Sequence, residues 1–204
     1  MRRIFFSLFP AAWMALVLMQ ACGQSAPDAE LNTSGQIDVD GHTMPYLIRH
    51  LPPSSFPQVP AAVQEELNRR GCTIPQTYEA HGPENVVKAS LERKGSADWA
   101  VLCSANGTVS LLVFFADAAE PAVLISAPET ERLGPTGASG QMGALGFNWA
   151  IDAATPEKVH QAQAGMRRRP ALLDHDALMD LLIDQKTLYR YYSGKAWLLV
   201  DTTD

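Results

Sequence analysis

Apolar residues along this chain fall into runs whose spacing changes, and the changes mark the expected elements. Ile4 to Met19 is one nearly unbroken apolar stretch without charge. Gly23 to Asp40 is polar and small, with no period in its few apolar positions. Met44 to His50 predicts a first strand, ended by Pro52-Pro53. Val59 to Arg70 predicts a helix: Pro60 suits an early helical position, Val63 and Leu67 lie four apart, and Gly71 supplies a stop. Cys72 to Gln76 leaves that helix as an extended segment, and Val86 to Leu91 predicts another strand.

The clearest signal is Asn106-Gly107 between two apolar runs, Trp99 to Ser104 and Val109 to Phe115. Both central residues of a two-residue hairpin turn take positive φ, which Asn and Gly tolerate best. That turn sets Trp99 opposite Phe114 and Val101 opposite Leu112. One face then carries Trp99, Val101, Cys103, Ser110, Leu112 and Phe114; the other carries Ala100, Leu102, Val109, Leu111, Val113 and Phe115. Both faces are apolar, so the hairpin is expected inside a sheet covered on both sides.

Ala122 to Ser126 predicts a third strand after Pro121. Glycine then recurs at every third position from Gly134 to Gly146; four triplets are too few for a collagen helix, and a loop is expected. Leu145 to Ile151 should return to the sheet. Thr155-Pro156-Glu157 opens a second helix as cap, first residue and acidic first turn, ending near Gly165. Asp174 caps an expected third helix to about Asp184, with Leu178, Leu181 and Leu182 on one face. Thr187 to Tyr192 and Ala196 to Val200 form a second hairpin around a turn at 193–195, with Tyr191, Tyr192 and Trp197 as cross-strand aromatics. The expected class is α+β: an antiparallel sheet with two clear hairpins and about three helices.

Arg2 and Arg3 ahead of the apolar stretch, and small residues behind it, make a secretory signal. Leu18 to Gly23 ends in Ala21-Cys22-Gly23 and resembles the lipobox of bacterial lipoproteins, although Met19 stands where Leu is usual and Gln20 is atypical. The resemblance implies a diacylglycerol thioether on Cys22, cleavage before it and, with Gly23 following, the outer membrane facing the periplasm. Ordinary cleavage near Ala21 or Ala26, or a retained anchor, are the other readings. The division is then a signal peptide at 1–21, a flexible tether at 22–40 and one domain at 41–204. The whole chain has 204 residues and a formal charge of −6. Two Arg and no acid leave with residues 1–21, which takes the charge to −8 and disfavours nucleic acid and anionic lipid as partners.

Besides Cys22 the chain has Cys72 and Cys103. An even pair in an exported protein reads most simply as a disulfide, with two separate buried thiols as the rival.

The common catalytic signatures, among them G-x-S-x-G, H-E-x-x-H and the phosphate loop, are missing from the sequence. The best polar group is Asp174-His175-Asp176 with Asp180: on a helix Asp176 and Asp180 would share a face, and with His175 they are the weak candidates for a cation site. A capped, solvated helix start explains the same residues. His160 could join His175 only through helix packing. His42, His50 and His81 stand singly and read as surface or loop residues, and Glu129-Thr130-Glu131 as a solvated face. Arg167 to Arg169 reads as a helix C-terminus favoured by the dipole. Asp98, opening a central strand, is either a turn ligand or a catalytic carboxylate.

Gly71 to Gln76, Asn85 to Val87 and Asp98 to Ser104 together resemble a pattern in uncharacterised exported bacterial proteins. That resemblance implies export and a similar fold without an activity. The expected function is a noncatalytic binding or interaction module of the envelope, without cofactor, whose partner is an envelope protein, glycan or small molecule and whose membrane contact is the lipid alone. The alternative is an unrecognised periplasmic enzyme, possibly hydrolytic. An enzyme should gather several of Asp98, His160, His175 and Asp176 in one concavity; a binding module should show an exposed apolar or aromatic patch.

Overall fold

The computed structural model describes residues 31–116, 118, 120–136 and 143–202, and three sheets account for most of them. The expected signal peptide, residues 1–21, and Cys22 lie outside the described residues. The first sheet has strands β1 (Thr33–Val39), β2 (His42–Leu51), β3 (Ile74–Gln76), β8 (Leu133–Pro135) and β9 (Leu145–Phe147). The second has β4 (Val86–Ala89), β5 (Asp98–Ala105), β6 (Thr108–Phe114) and β7 (Ala122–Pro128). The third has β10 (Trp149–Ala154), β11 (Ala177–Leu182), β12 (Lys186–Ser193) and β13 (Ala196–Val200). Strands of the second and third sheets pair antiparallel in chain order, whereas in the first β9 adds parallel to β2, so that sheet is mixed. Two helices complete the fold, α1 (Ala61–Arg69) and α2 (Pro156–Ala162).

The fold is therefore predominantly β, with two helices where about three were expected. The third expected helix, over 174–184, is instead strand β11 and its flanks. Ala177, Leu178, Met179 and Asp180 are all buried there. A strand covered on both faces reads as a continuous apolar run, which periodicity cannot tell from a buried helix. Two further boundaries move. Residues 33–39 of the expected tether pair with β2 over the whole of β1, so the domain begins earlier than Gly41. The ends of the glycine-rich segment are paired strands, Gly134 opposite Gly146, while residues 137–142 lie outside the described residues. A Cβ on Gly146 would sit 2.6 Å from Cβ of Tyr78, so that position is small because the chain passes close to its neighbour.

The central hairpin has the expected register, Trp99 opposite Phe114 and Val101 opposite Leu112. Asn106 and Gly107 take φ of 52° and 75° in its turn. Both faces are covered. Ala100, Leu102, Val109, Leu111 and Val113 join Ile48, Phe147, Trp149, Ile151 and Leu178 in a core drawn from all three sheets. The opposite face, with Trp99, Val101, Cys103, Leu112 and Phe114, packs against Leu67 of α1, Ile74 of β3 and Phe56 ahead of the helix. Helix α1 ends as the sequence indicates. Gly71 has φ of 69°, the Gly71 amide donates to the Asn68 carbonyl and the Cys72 amide to that of Leu67, which is the glycine stop of a Schellman motif. The residue after that glycine is Cys72, and it is bonded to Cys103 of β5 with Cα atoms 5.0 Å apart. The disulfide thus fastens the helix end to the sheet face that the helix covers.

Helix α2 opens on Thr155, whose hydroxyl accepts from the Lys158 amide at 3.3 Å. It covers the outer face of the third sheet in a smaller core with Met179 and Tyr189. The final hairpin turns at Gly194-Lys195 and sets Tyr192 opposite Trp197, with ring centroids 5.3 Å apart. Buried Asn85 knits the sheets: its Nδ2 donates to the Pro75 carbonyl at 2.7 Å, and its Oδ1 accepts from the Ile151 amide at 3.1 Å.

Candidate functional site

A buried cluster of ionisable and hydroxyl groups lies where the first and second sheets meet. Ser104 is the last inward-facing residue of β5 before the turn, His50 lies near the end of β2, and Glu129 follows β7. The Glu129 amide donates to the Gly107 carbonyl at 2.9 Å, which holds this segment against the hairpin turn. His50 Nε2 lies 2.7 Å from Glu129 Oε1, and the Ser104 hydroxyl donates to the same oxygen. His50 Nδ1 is 2.9 Å from the carbonyl oxygen of Leu31. Both ring nitrogens therefore face oxygen atoms. Burial raises the pKa of Glu129, but the hydrogen bonds from His50 and Ser104 outweigh it and hold the carboxyl below the usual range. Beside the cluster, Thr33, Thr73 and Asn106 help line an open cavity of about 420 Å³.

Neither His50 nor Glu129 is exposed as expected; they are 3% and 5% accessible. The only sequence signal for His50 was its place in the alternation of β2, two residues beyond buried Ile48. For Glu129 there was none, because its burial follows from a turn formed across strands.

The groups singled out in the sequence are held elsewhere. Asp98 is fully buried: Oδ2 accepts from the amides of Leu91 and Glu92, both at 2.8 Å, and from the Ser96 hydroxyl, while Oδ1 accepts from the Ala116 amide at 2.9 Å. Asp176 exchanges two hydrogen bonds with Ser90, through its carboxylate at 2.9 Å and its amide at 3.1 Å. Asp180 accepts from the Trp149 indole at 2.7 Å on Oδ1 and from Arg190 Nε at 2.8 Å on Oδ2. His175 has Nδ1 at 2.5 Å from Asp174 Oδ1 and Nε2 at 2.9 Å from the Tyr192 carbonyl, with its ring stacked on Tyr191. The Tyr191 hydroxyl donates to Asp174; burial and that carboxylate push the phenol up to about 12. His160 offers its backbone carbonyl to Arg169, consistent with a basic helix end.

The expected cation site is thus not assembled. Its premise was a helical face, and on a strand four residues span roughly 13 Å. Asp180 faces the inner core, Asp176 binds a neighbouring loop, and His175 faces the last hairpin. Among the described residues no group of three or more His, Cys, Asp and Glu is placed to hold a metal ion.

No family model, curated protein or solved structure matches this chain.

The arrangement therefore has to be read from its own chemistry. In a nucleophilic triad the imidazole stands between hydroxyl and carboxylate. Here the carboxylate stands between hydroxyl and imidazole. Ser104 donates its hydrogen bond to Glu129, not to a basic nitrogen, which suits a buried clamp between strands.

Proposed function

We propose that this chain is an exported envelope lipoprotein, anchored through Cys22 to the outer membrane and facing the periplasm, whose domain is a noncatalytic binding module. The supporting observation is the use the fold makes of its acids and histidines. Asp98, His175, Asp176 and Asp180 each close hydrogen bonds between separate segments, and Asp98 is satisfied on both oxygens. A general acid or base needs an atom within reach of substrate; Asp98 is turned inward to the chain itself, and His175, Asp176 and Asp180, which line open cavities, are already engaged in hydrogen bonds to other parts of the chain. The accessible features suit binding: edge strand β13 presents Leu198 and Leu199, 51% and 58% exposed, and several open grooves cross the surface.

A second reading, a hydrolytic enzyme, is favoured by one observation, the Ser104–Glu129–His50 cluster beside its cavity. It would require Ser104 to leave Glu129 and reach His50.

Two experiments test the proposal, the first its anchor and the second its lack of catalysis. Metabolic labelling with a fatty-acid analogue should mark the wild type and not Cys22→Ser; an unmodified, soluble wild type refutes the anchor. Ester, peptide and glycan substrates should give no turnover that Ser104→Ala or His175→Asn abolishes at unchanged Tm. Turnover lost with the fold intact would make the protein an enzyme.

A further inference from the structure

A groove between the segment after β7 and the inner face of the third sheet has the composition of an anion site. Three of its lining residues are cations, Arg132, Lys186 and Arg190, and three are apolar, Ile125, Leu182 and Leu188. The single acid, Asp180, is matched by Arg190, which donates to Oδ2 through Nε and lies 2.7 Å away through Nη2. Among the described residues no carboxylate pairs with Arg132 or Lys186. Two positive charges are left over on an acidic molecule.

Arg132 carries the stronger signal. Its guanidinium lies 4.4 Å over the ring of Trp149, and its buried Nε–H has no hydrogen-bond partner. An unsatisfied buried donor is costly, so the Arg132 side chain is held short of an acceptor. The platform is rigid, because Trp149 is fully buried and its indole is fixed by Asp180. The fork of Arg132 is thus held in one plane, which suits the two oxygens of a carboxylate. The cavity is about 190 Å³. A dry cavity of about 150 Å³ holds benzene, so the space fits one ring, or a branched chain of that size, beside its charged group.

We propose that this groove binds a small organic carboxylate, with the carboxylate on Arg132 and Lys186 and the apolar part against Ile125, Leu182 and Leu188. The proposal gives the binding-module reading a ligand class and rests on it.

The test is a titration of the isotopically labelled full mature chain with benzoate, followed at the Arg132 Nε–H and Trp149 indole resonances. Benzyl alcohol and inorganic phosphate are the controls. Both resonances should shift saturably with benzoate, and each control should bind at least about tenfold more weakly. Arg132→Gln and Lys186→Gln should each weaken benzoate about tenfold, the loss of one charge-assisted hydrogen bond. If Arg132→Gln does not fold, Lys186→Gln and Lys186→Glu at the exposed rim carry the comparison. The proposal fails if benzoate leaves both resonances unmoved, if the substitutions leave its affinity unchanged, or if phosphate binds equally well. Any of these removes this site and leaves the binding-module reading in place, which falls only to catalytic turnover.

Discussion

The second and third sheets solve the same packing problem with different materials. Each is a four-stranded antiparallel meander with one face on the shared core and the other under a helix. In the second sheet the hairpin of β5 and β6 meets its coverings mainly through apolar side chains, with polar ties at its two ends through Asp98 and Ser104, and its helix is fastened covalently by Cys72 and Cys103. In the third, the ties are polar. Asp180 sits inside the core holding Trp149 and Arg190, while Asp174, His175 and Tyr191 hold the approach to β11 against β12. Apolar contacts tolerate loss in proportion to the area removed, whereas a buried charge that loses its partner is left uncompensated. The two halves should therefore fail in different ways.

The largest expected effect is on the polar side. Asp180→Ala leaves the Trp149 indole and the Arg190 guanidinium without acceptors and should cost about 3–5 kcal/mol. That is a large part of a usual total of roughly 5–15 kcal/mol. Chemical denaturation would measure it; a loss under about 1 kcal/mol would mean that Asp180 is not a tie.

Opening the disulfide comes next. The bond closes a loop between residues 31 apart in sequence, for which the chain-entropy model gives about 3.7 kcal/mol. Cys72→Ser with Cys103→Ser should lower stability by up to that amount, with the loosening concentrated in α1. Thiol alkylation of the unreduced, unfolded protein should label neither cysteine.

Acid should act at the seam between the first and second sheets. The carboxyl of Glu129 titrates below its unfolded value of roughly 4.3. Its contribution is therefore fully present above that value and disappears as pH falls through the lower folded one. Stability measured from pH 6 to pH 2 should fall more steeply in the wild type than in Glu129→Gln. Parallel curves would show that the His50–Glu129 pair contributes nothing in the ionised form.

The smallest effect contrasts the two hairpin turns. Asn106-Gly107 uses residues that accept positive φ, but Lys195 is held at 67° in the second turn. Relief of that strain, less the added freedom of glycine in the unfolded chain, should let Lys195→Gly raise stability by a few tenths to about 1 kcal/mol. Asn106→Ala should lower it by about 1 kcal/mol, and thermal unfolding would read both.

The same contrast explains what was legible in the sequence. Register, both faces and the helix stop of the second sheet were readable because they are local: a two-residue turn fixes the pairing, and Gly71 sets where α1 ends. The pairing of Cys72 with Cys103 needed only the count of cysteines once Cys22 was set aside. Strand β11 was misread because Leu178, Leu181 and Leu182 have helical spacing, while Asp180 looks like a solvent position. Its burial depends on Arg190 and Trp149, which come from two other strands. Glu129 and His50 escaped for the same reason, since neither has a partner within reach along the chain. Edge strand β1 was hidden by its polar composition, as expected of a strand with little of its surface buried.

Hydrogen exchange tests the division most directly. Protection of backbone amides should be mapped in the wild type, in Asp180→Ala and in the double Cys72→Ser, Cys103→Ser variant at one pH and temperature. The account predicts that the cysteine variant loses protection in α1 and β5 while β10 to β12 keep theirs, and that Asp180→Ala does the reverse. Equal loss over the same strands in both variants would contradict it, because a single cooperative unit would then be held by either set of ties.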